Sequence, residues 1–275
     1  MAALVAAALR DAGERPAILS RGYARRQPED GVVVVRDAGG IRADLDRSGD
    51  EPLMLARQLD GVAVLVSSSR HLAGRLAECR LGCTVHVLDD GFQHFDLHRN
   101  ADLVMIAQED LDRPVTLPSG RLREPLDAAS AADAFVLLDA ADRADAGGVF
   151  RTGVPVWRAR RTQAGAATTD PVAAIAGTAS PGSFFAALRA HGWNVVAEVP
   201  FRDHHPYSAR DVLEIADVAR AQGARRIVTT EKDLVRLLPY RPFALPIEAV
   251  PLTLELDDRP SFVEWLLSVV RRPRS

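Results

Sequence analysis

Six polar clusters in this 275-residue chain have the residue types for chemistry. Asp89-Asp90-Gly91-Phe92-Gln93-His94 follows the apolar run Val85-His86-Val87-Leu88. An apolar strand in a parallel sheet delivers the residues after it to the sheet's carboxyl rim, where ligands bind. Two adjacent carboxylates there suit a hard cation such as Mg²⁺, and a polar turn is the plain structural alternative. Phe201-Arg202-Asp203-His204-His205 sets imidazoles beside a carboxylate, the pairing of a general base and its orienting group; read structurally, the same residues cap a helix entry. Gly49-Asp50-Glu51-Pro52 reads first as an N-cap, with Asp just before a helix and an early Pro. Leu117-Pro118-Ser119-Gly120-Arg121-Leu122-Arg123-Glu124-Pro125 offers arginine forks for an anionic group or a solvated loop. Ser20-Arg21-Gly22-Tyr23 is a basic strand-to-loop segment, and Thr229-Thr230-Glu231-Lys232-Asp233 holds the one lysine among 34 basic residues. A phosphate-cradling loop ends in Gly-Lys-Ser/Thr. Lys232 stands in no such context, so the chain shows the acidic half of a phosphoryl-transfer site without the basic half.

The elements that must position these clusters are legible as alternating apolar runs and helical patterns, the signature of βαβ units and a mainly parallel sheet. Strands are expected at Pro16 to Ser20, Val32 to Val35, Val62 to Val66, Thr84 to Leu88, Leu103 to Ile106 and Ala134 to Leu138. Helices are expected near residues 2–12, from Glu51 to Leu59 and from His71 to Cys79. The pattern weakens from Asp142 to Gly165, where a short strand is expected at Val154 to Trp157. Beyond it come strands at Val172 to Ala176, Asn194 to Val199, Arg226 to Thr230 and within Ile247 to Leu256. Helices start at Pro181, with proline in the first turn, and at Ser208-Ala209-Arg210-Asp211, a capping box; Phe262 to Val270 closes the chain. This implies an α/β fold in two parts, 1–150 and 171–275, joined by a linker over 151–170, with the closing helix in the second part.

Composition narrows the classes. The chain is 47% hydrophobic and 26% charged, ordinary for a globular protein. A net charge of −3 gives no sign of nucleic-acid binding. Cys79 and Cys83 lack a second pair to complete a zinc site, which leaves reduced thiols of a cytosolic protein. No segment reaches the ~20 apolar residues of a membrane span.

Taken together and in order, the six clusters resemble the tetraacyldisaccharide 4'-kinase family over nearly the whole chain. The resemblance implies a P-loop-NTPase-like domain with a second, smaller α/β domain. It implies transfer of the γ-phosphate of ATP to the 4'-hydroxyl of a tetraacylated glucosamine disaccharide 1-phosphate, a step of lipid A biosynthesis at the cytoplasmic face of the Gram-negative inner membrane, with Mg²⁺. On the matching positions, Asp50 is the implied base and His204 its partner. Asp89, Asp90 and Glu124 are the implied metal-side acids, and Tyr23, Gln93, His94 and Arg123 face the glycolipid. Phosphoryl transfer needs positioning, charge neutralisation and a proton acceptor, and a base shared between two domains would tie reaction to closure.

Two departures matter. The family's Gly-Gly-x-Gly-Lys-Thr loop would lie just before residues 2–12, and this chain begins at Met1. The expectation is therefore an N-terminally truncated sequence, with weak ATP binding and no turnover as it stands. Ala176-Gly177-Thr178-Ala179-Ser180-Pro181 also differs from the family's Ala-Gly-Ile-Gly-Asn-Pro, so that loop is expected to differ in shape. Two rival readings remain: a catalytically dead glycolipid-binding remnant that keeps Arg123, His94 and Tyr23, and a metal-dependent hydrolase using Asp89, Asp90 and His204 without ATP.

Overall fold

A computed structural model describes residues 1–23, 25–139, 153–163 and 168–272. Helix α1 (Ala2–Asp11) leads into strand β1 (Pro16–Ser20), and β2 (Val33–Asp37) and β3 (Gly40–Ile41) form a hairpin. Helices α2 (Leu45–Ser48) and α3 (Asp50–Gln58) precede β4 (Ala63–Val66), and α4 (Arg70–Leu81) precedes β5 (Val85–Leu88). These strands make a five-stranded sheet in the order β3-β2-β4-β1-β5, with β1 parallel to both β4 and β5. Every residue of β1 and β4 is buried, which is why both read as unbroken apolar runs. Helix α4 starts on Ser69, whose hydroxyl accepts from the Leu72 amide at 3.3 Å, and stops at Gly82 in the left-handed region at φ 66°.

A second sheet is built from β6 (Leu103–Ala107), which runs into the short helix α5 (Gln108–Asp112), from β7 (Ala134–Leu138) and from β8 (Val156–Gln163). The order is β13-β8-β7-β6, where β13 (Leu252–Leu256) arrives from near the chain's end. A third sheet, parallel throughout, has the order β10-β9-β11-β12. Its strands are β9 (Val172–Ala176), β10 (Val195–Pro200), β11 (Arg226–Thr229) and β12 (Ile247–Ala249). Helices α6 (Pro181–Ala190), α7 (Ala209–Ala221) and α8 (Glu231–Leu237) connect them, and α9 (Arg259–Val270) closes the chain. Proline stands in the first turn of α6, and the expected capping box on Ser208 and Asp211 is formed in both directions.

Three sequence expectations are revised. The short strand at Val154 to Trp157 is an eight-residue strand, β8, paired parallel to β7 and antiparallel to β13. The single strand within Ile247 to Leu256 is two strands broken at Val250-Pro251. Proline supplies no ladder donor, so β12 stays with β11 while β13 crosses to β8. As a result β13 and α9, placed by sequence in the 171–275 part, lie with the earlier elements. Phe262 is fully buried, with its ring edge-on to Trp157 at 5.1 Å, in one cluster with Val5, Leu9 and Val136. The remaining expected strands and helices appear within a residue or two of their expected ends, save that the closing helix begins three residues early, at Arg259. The weak stretch at 142–152 lies outside the described residues.

The first two sheets do not join among the described residues: β5 ends one and β6 ends the other. A cleft of about 1080 Å³ separates them, lined by both strands, by Met1 and Val5 of α1 and by Trp265 and Val269 of α9. All four residues of β5 are only partly buried, and Met105 of β6 is 41% exposed.

Candidate active site

Asp50 is not the cap of its helix. Gly49 holds that place at φ 83°, a conformation open to glycine, and a Cβ there would meet the Tyr23 carbonyl oxygen at 3.1 Å. Asp50 is thereby the first residue of α3, and its side chain is turned inward and buried. Its Oδ1 accepts from the Glu51 amide at 2.9 Å. Its Oδ2 faces Nδ1 of His204 at 3.2 Å and accepts from Arg236 through Nε, at 2.8 Å, and through Nη2. Burial pushes the Asp50 carboxyl up, but the hydrogen bonds and charge of Arg236, aided by the charge of Lys232, hold it below its ordinary value. The carboxylate is therefore ionised and able to accept a proton.

His204 sits in the loop after β10. It is one of three non-glycine residues with positive φ, at 53°, among the described residues, and the Asp203 side chain accepts from its amide at 2.9 Å. Such backbone strain gathers where a side chain must be aimed. Its neighbour His205 does the structural work expected of a helix-entry histidine. It stacks on Phe201 with centroids 4.6 Å apart and lies 3.3 Å from the Asp211 carboxylate of the capping box. The two histidines thus divide the two readings of the motif between them. Tyr23, 76% exposed, approaches His204 edge-on at 6.2 Å.

The group that ties α8 to α3 is Arg236. Besides Asp50, its Nη1 donates to Asp233 Oδ1 at 3.0 Å and to the Gly177 carbonyl at 3.1 Å. Asp233 is fully buried and collects donors from the Gly177 amide (2.9 Å), the Thr230 hydroxyl (2.7 Å) and the Tyr207 hydroxyl (3.2 Å). Burial and that carboxylate push the Tyr207 phenol well above its ordinary value, so it remains a donor. Gly177 belongs to the loop expected to depart in shape, and a Cβ on it would meet Asp233 Oδ1 at 2.9 Å. Val235, between these polar residues, packs into the core that holds Leu53 and Val64. Lys232 donates to Glu51 Oε1 at 2.9 Å and lies 3.2 Å from His204 Nε2.

The acidic pair stands where the strand argument put it. The Asp89 amide donates to the Leu19 carbonyl at 3.1 Å, the last rung between β5 and β1, and Asp90 turns the chain at φ 53°. Burial chiefly, then the charges of Glu51 and Asp90, push the Asp89 carboxyl up against the pull of the Met1 amino group and Arg70. Arg70 is buried behind the pair, its Nη1 on the Ser67 carbonyl at 2.9 Å. Asp90 is exposed and held by Arg123 Nη1 at 2.9 Å to both oxygens. Arg123 comes from the loop 117–125, closed by a Leu117 amide to Leu122 carbonyl bond at 2.8 Å and packed so tightly at Gly120 that a Cβ would lie 2.0 Å from the Val115 carbonyl oxygen. Glu124 and Gln93 line the same cleft. The His94 amide closes a turn on the Gly91 carbonyl, and its side chain lines a smaller hollow of about 270 Å³ with Ser68 and Arg70.

Among the described residues no three His, Cys, Asp or Glu side chains form a metal cage. That fits Mg²⁺, which keeps several waters and takes one or two carboxylates together with substrate phosphates. Asp89, with the charges of Glu51 and Asp90 acting on it, offers oxygen ligands of the kind such a cation takes.

The structure therefore brings Asp50, His204 and Tyr23 together in one place. Asp89, Asp90, Arg123, Glu124 and Gln93 line a second, and Glu51 lies close enough to Asp89 to act on it. Sequence reading gave no role to Arg236, Lys232, Asp233 or Tyr207. The available signal was Lys232 and Arg236 four apart, on one face of a helix that follows a strand end.

Comparison with known proteins gives one family. The family described as Tetraacyldisaccharide-1-P 4'-kinase matches residues 1–271. A tetraacyldisaccharide 4'-kinase of Koribacter versatilis is 39% identical over 93% of this chain and 79% of its own length. One from Bradyrhizobium is 40% identical over 92% and 74%. The crystal structure of an "apo" form of the Aquifex aeolicus enzyme in complex with ATP superposes with a TM-score of 0.78 at 30% identity, covering 98% of this chain and 82% of that one. The mainly parallel sheets arranged as described above are thus of the P-loop-NTPase-like kind. With that fold, those matched residues and that site, the chain belongs to the tetraacyldisaccharide 4'-kinase family.

Proposed function

We propose that the protein acts as a lipid A 4'-kinase, transferring the γ-phosphate of ATP to the 4'-hydroxyl of a tetraacylated disaccharide 1-phosphate. The observation that carries the reading is the meeting of Asp50 and His204 at 3.2 Å from elements far apart in sequence. Asp50 is ionised, and a carboxylate held beside an imidazole can take the hydroxyl proton as the oxygen attacks phosphorus. His204 orients the Asp50 carboxylate for that step. Mg²⁺, when bound, neutralises charge on the transferring phosphoryl group. Asp89 would hold it, with Asp90 and Glu124 as the other acids on that side, Asp90 first exchanging its Arg123 contact. Tyr23, Gln93, His94 and Arg123 face the acceptor. Arg123 suits the sugar phosphate, since a guanidinium matches phosphate oxygens in pairs.

The two-part division stays in this reading with one change. The parts are 1–150 and the third sheet, joined through 151–170, with β13 and α9 returned to the first part. Association with the inner-membrane surface follows from the acylated acceptor, and no described helix is long and apolar enough to cross a membrane.

The test is Asp50→Ala made in a chain extended upstream to carry the family's Gly-Gly-x-Gly-Lys-Thr loop, assayed with ATP, Mg²⁺ and the acylated disaccharide 1-phosphate. Transfer should fall by at least about a hundredfold, the scale of a lost general base, while ATP affinity measured by direct binding stays nearly unchanged. Transfer at the parent rate would remove Asp50 from the role and favour a different base.

A further inference from the structure

Lys232 has no part in the reading above, although it bridges the two halves of the site. Its ammonium reaches Glu51 Oε1 at 2.9 Å and His204 Nε2 at 3.2 Å. Lysine carries donors and no acceptor. The other ring nitrogen, Nδ1, faces Asp50 Oδ2 at 3.2 Å, and Arg236 Nη2 also stands 3.2 Å from it.

Only one form of the ring satisfies both Lys232 and Asp50. If the proton is on Nδ1, that N–H donates to Asp50 and the bare Nε2 accepts from Lys232. If the proton is on Nε2, two donors confront each other at 3.2 Å and the Nδ1 lone pair is set against the Asp50 carboxylate. A ring protonated on both nitrogens again puts an N–H against the Lys232 ammonium. Arg236 Nη2 keeps a second N–H that could meet a bare Nδ1, so the choice falls to Lys232, which has donors and no acceptor and pairs only with a bare Nε2. The identity of the group on one ring nitrogen sets the state of the other.

We infer that Lys232 is a positioning residue for the transfer reaction: by donating to Nε2 of His204 it fixes the Nδ1–H tautomer and aims that proton at Asp50. Glu51 holds the ammonium in place from the first turn of α3, beside the base itself. In this arrangement the ring steadies Asp50 as a hydrogen-bond acceptor and leaves its proton-accepting capacity intact. Losing Lys232 frees the ring to take the other tautomer, or to turn over and present Nε2 to Asp50. The inference rests on the proposed roles of Asp50 and His204, and its test reads the ring directly.

The experiment is ¹⁵N NMR of the protein labelled in its histidine rings, at neutral pH, with His204 assigned by its absence from the His204→Gln spectrum. The expected spectrum of the parent shows a protonated Nδ1 and a bare Nε2. Lys232→Arg, which keeps a donor, should preserve that pattern. Lys232→Met should lose it, with Nε2 becoming protonated. In the transfer assay Lys232→Met should lower kcat by about tenfold or more while KM for ATP changes by less than about twofold, the pattern of a group that acts after binding. A parent ring protonated on Nε2 would overturn the inference even if a variant failed to fold. So would a Lys232→Met ring identical to the parent's, or a shifted tautomer with unchanged kcat. Retained transfer in Asp50→Ala would instead sink the proposed function, whatever the ring shows.

Discussion

Replacing Arg236 by Met removes the cation at the centre of the buried network and keeps most of the side chain's volume. The guanidinium serves Asp50 twice through one oxygen, Asp233 at 3.0 Å and the Gly177 carbonyl at 3.1 Å, at only 6% exposure. Removing one partner of a buried ion pair typically costs about 3–5 kcal/mol, because the other charge is stranded. Asp233 would keep three donors, and Asp50 would keep His204 and the Glu51 amide. The lower end, about 3 kcal/mol, is therefore expected. With a urea slope near 3 kcal/mol per molar for a chain of this size, the unfolding midpoint should fall by about 1 M. Fluorescence of the three tryptophans would report it.

The pH dependence identifies the cause. In the parent the Asp50 carboxyl is held below its ordinary value of 3.8. A depressed carboxyl stabilises the fold above that value, and the contribution is lost as pH falls through the folded-state value. In Arg236→Met the depressing charge is gone while burial remains, so Asp50 rises and takes up its proton in the folded state first. The deficit should be largest at neutral pH and shrink as the pH approaches about 4. A midpoint change below about 0.3 M, or a deficit constant from neutral to acid pH, would refute the reasoning.

Other expectations are as direct. Asp89→Asn should be more stable than the parent at neutral pH, because the Asp89 carboxyl is raised and its ionised form is disfavoured by the fold. The difference should vanish on acidification below the ordinary carboxylate range, while Mg²⁺-dependent transfer is lost; equal melting temperatures from neutral pH upward would contradict this. Phe262→Ala should cost about 3–5 kcal/mol, since the ring is fully buried on Trp157. A cost under about 1 kcal/mol would mean that α9 does not anchor the first part. Gly177→Ala should cost about 1–3 kcal/mol by overpacking against Asp233 and Tyr207, and calorimetry reading no loss would show that the loop has room to give.

What sequence made legible here was what depends on near neighbours. The all-apolar stretches became β1, β4, β7 and β9, and Ser208 with Asp211 became a capping box, because periodicity and capping are local matters. The carboxylates of Asp89 and Asp90 were placed correctly for the same reason: a strand fixes where its next two residues emerge. What stayed hidden depends on partners far along the chain. Nothing within a window around Arg236 says that its counter-ion is Asp50, 186 positions away. Taken alone, Gly49-Asp50 reads as a cap because both residues suit helix starts, and only the positive φ of Gly49 shows which of them holds that place. By local pattern His204 and His205 are interchangeable, and only the family resemblance singles out His204. The backbone twist at His204 separates them, and it is imposed by the surrounding loop. The crossing of β13 to β8 was invisible because a strand's partner is chosen by packing across the whole fold.

The gap between β5 and β6 sets two strand borders against one cleft. A continuous sheet has two borders, and an interrupted one has four. The two inner borders run through apolar residues, Val85 and Val87 on one side and Val104 and Met105 on the other, with no ladder partner on the cleft side among the described residues. Backbone amides and carbonyls so placed are a template for any extended segment that can lie between them. A strand laid between them would pair on both sides and turn the two sheets into one.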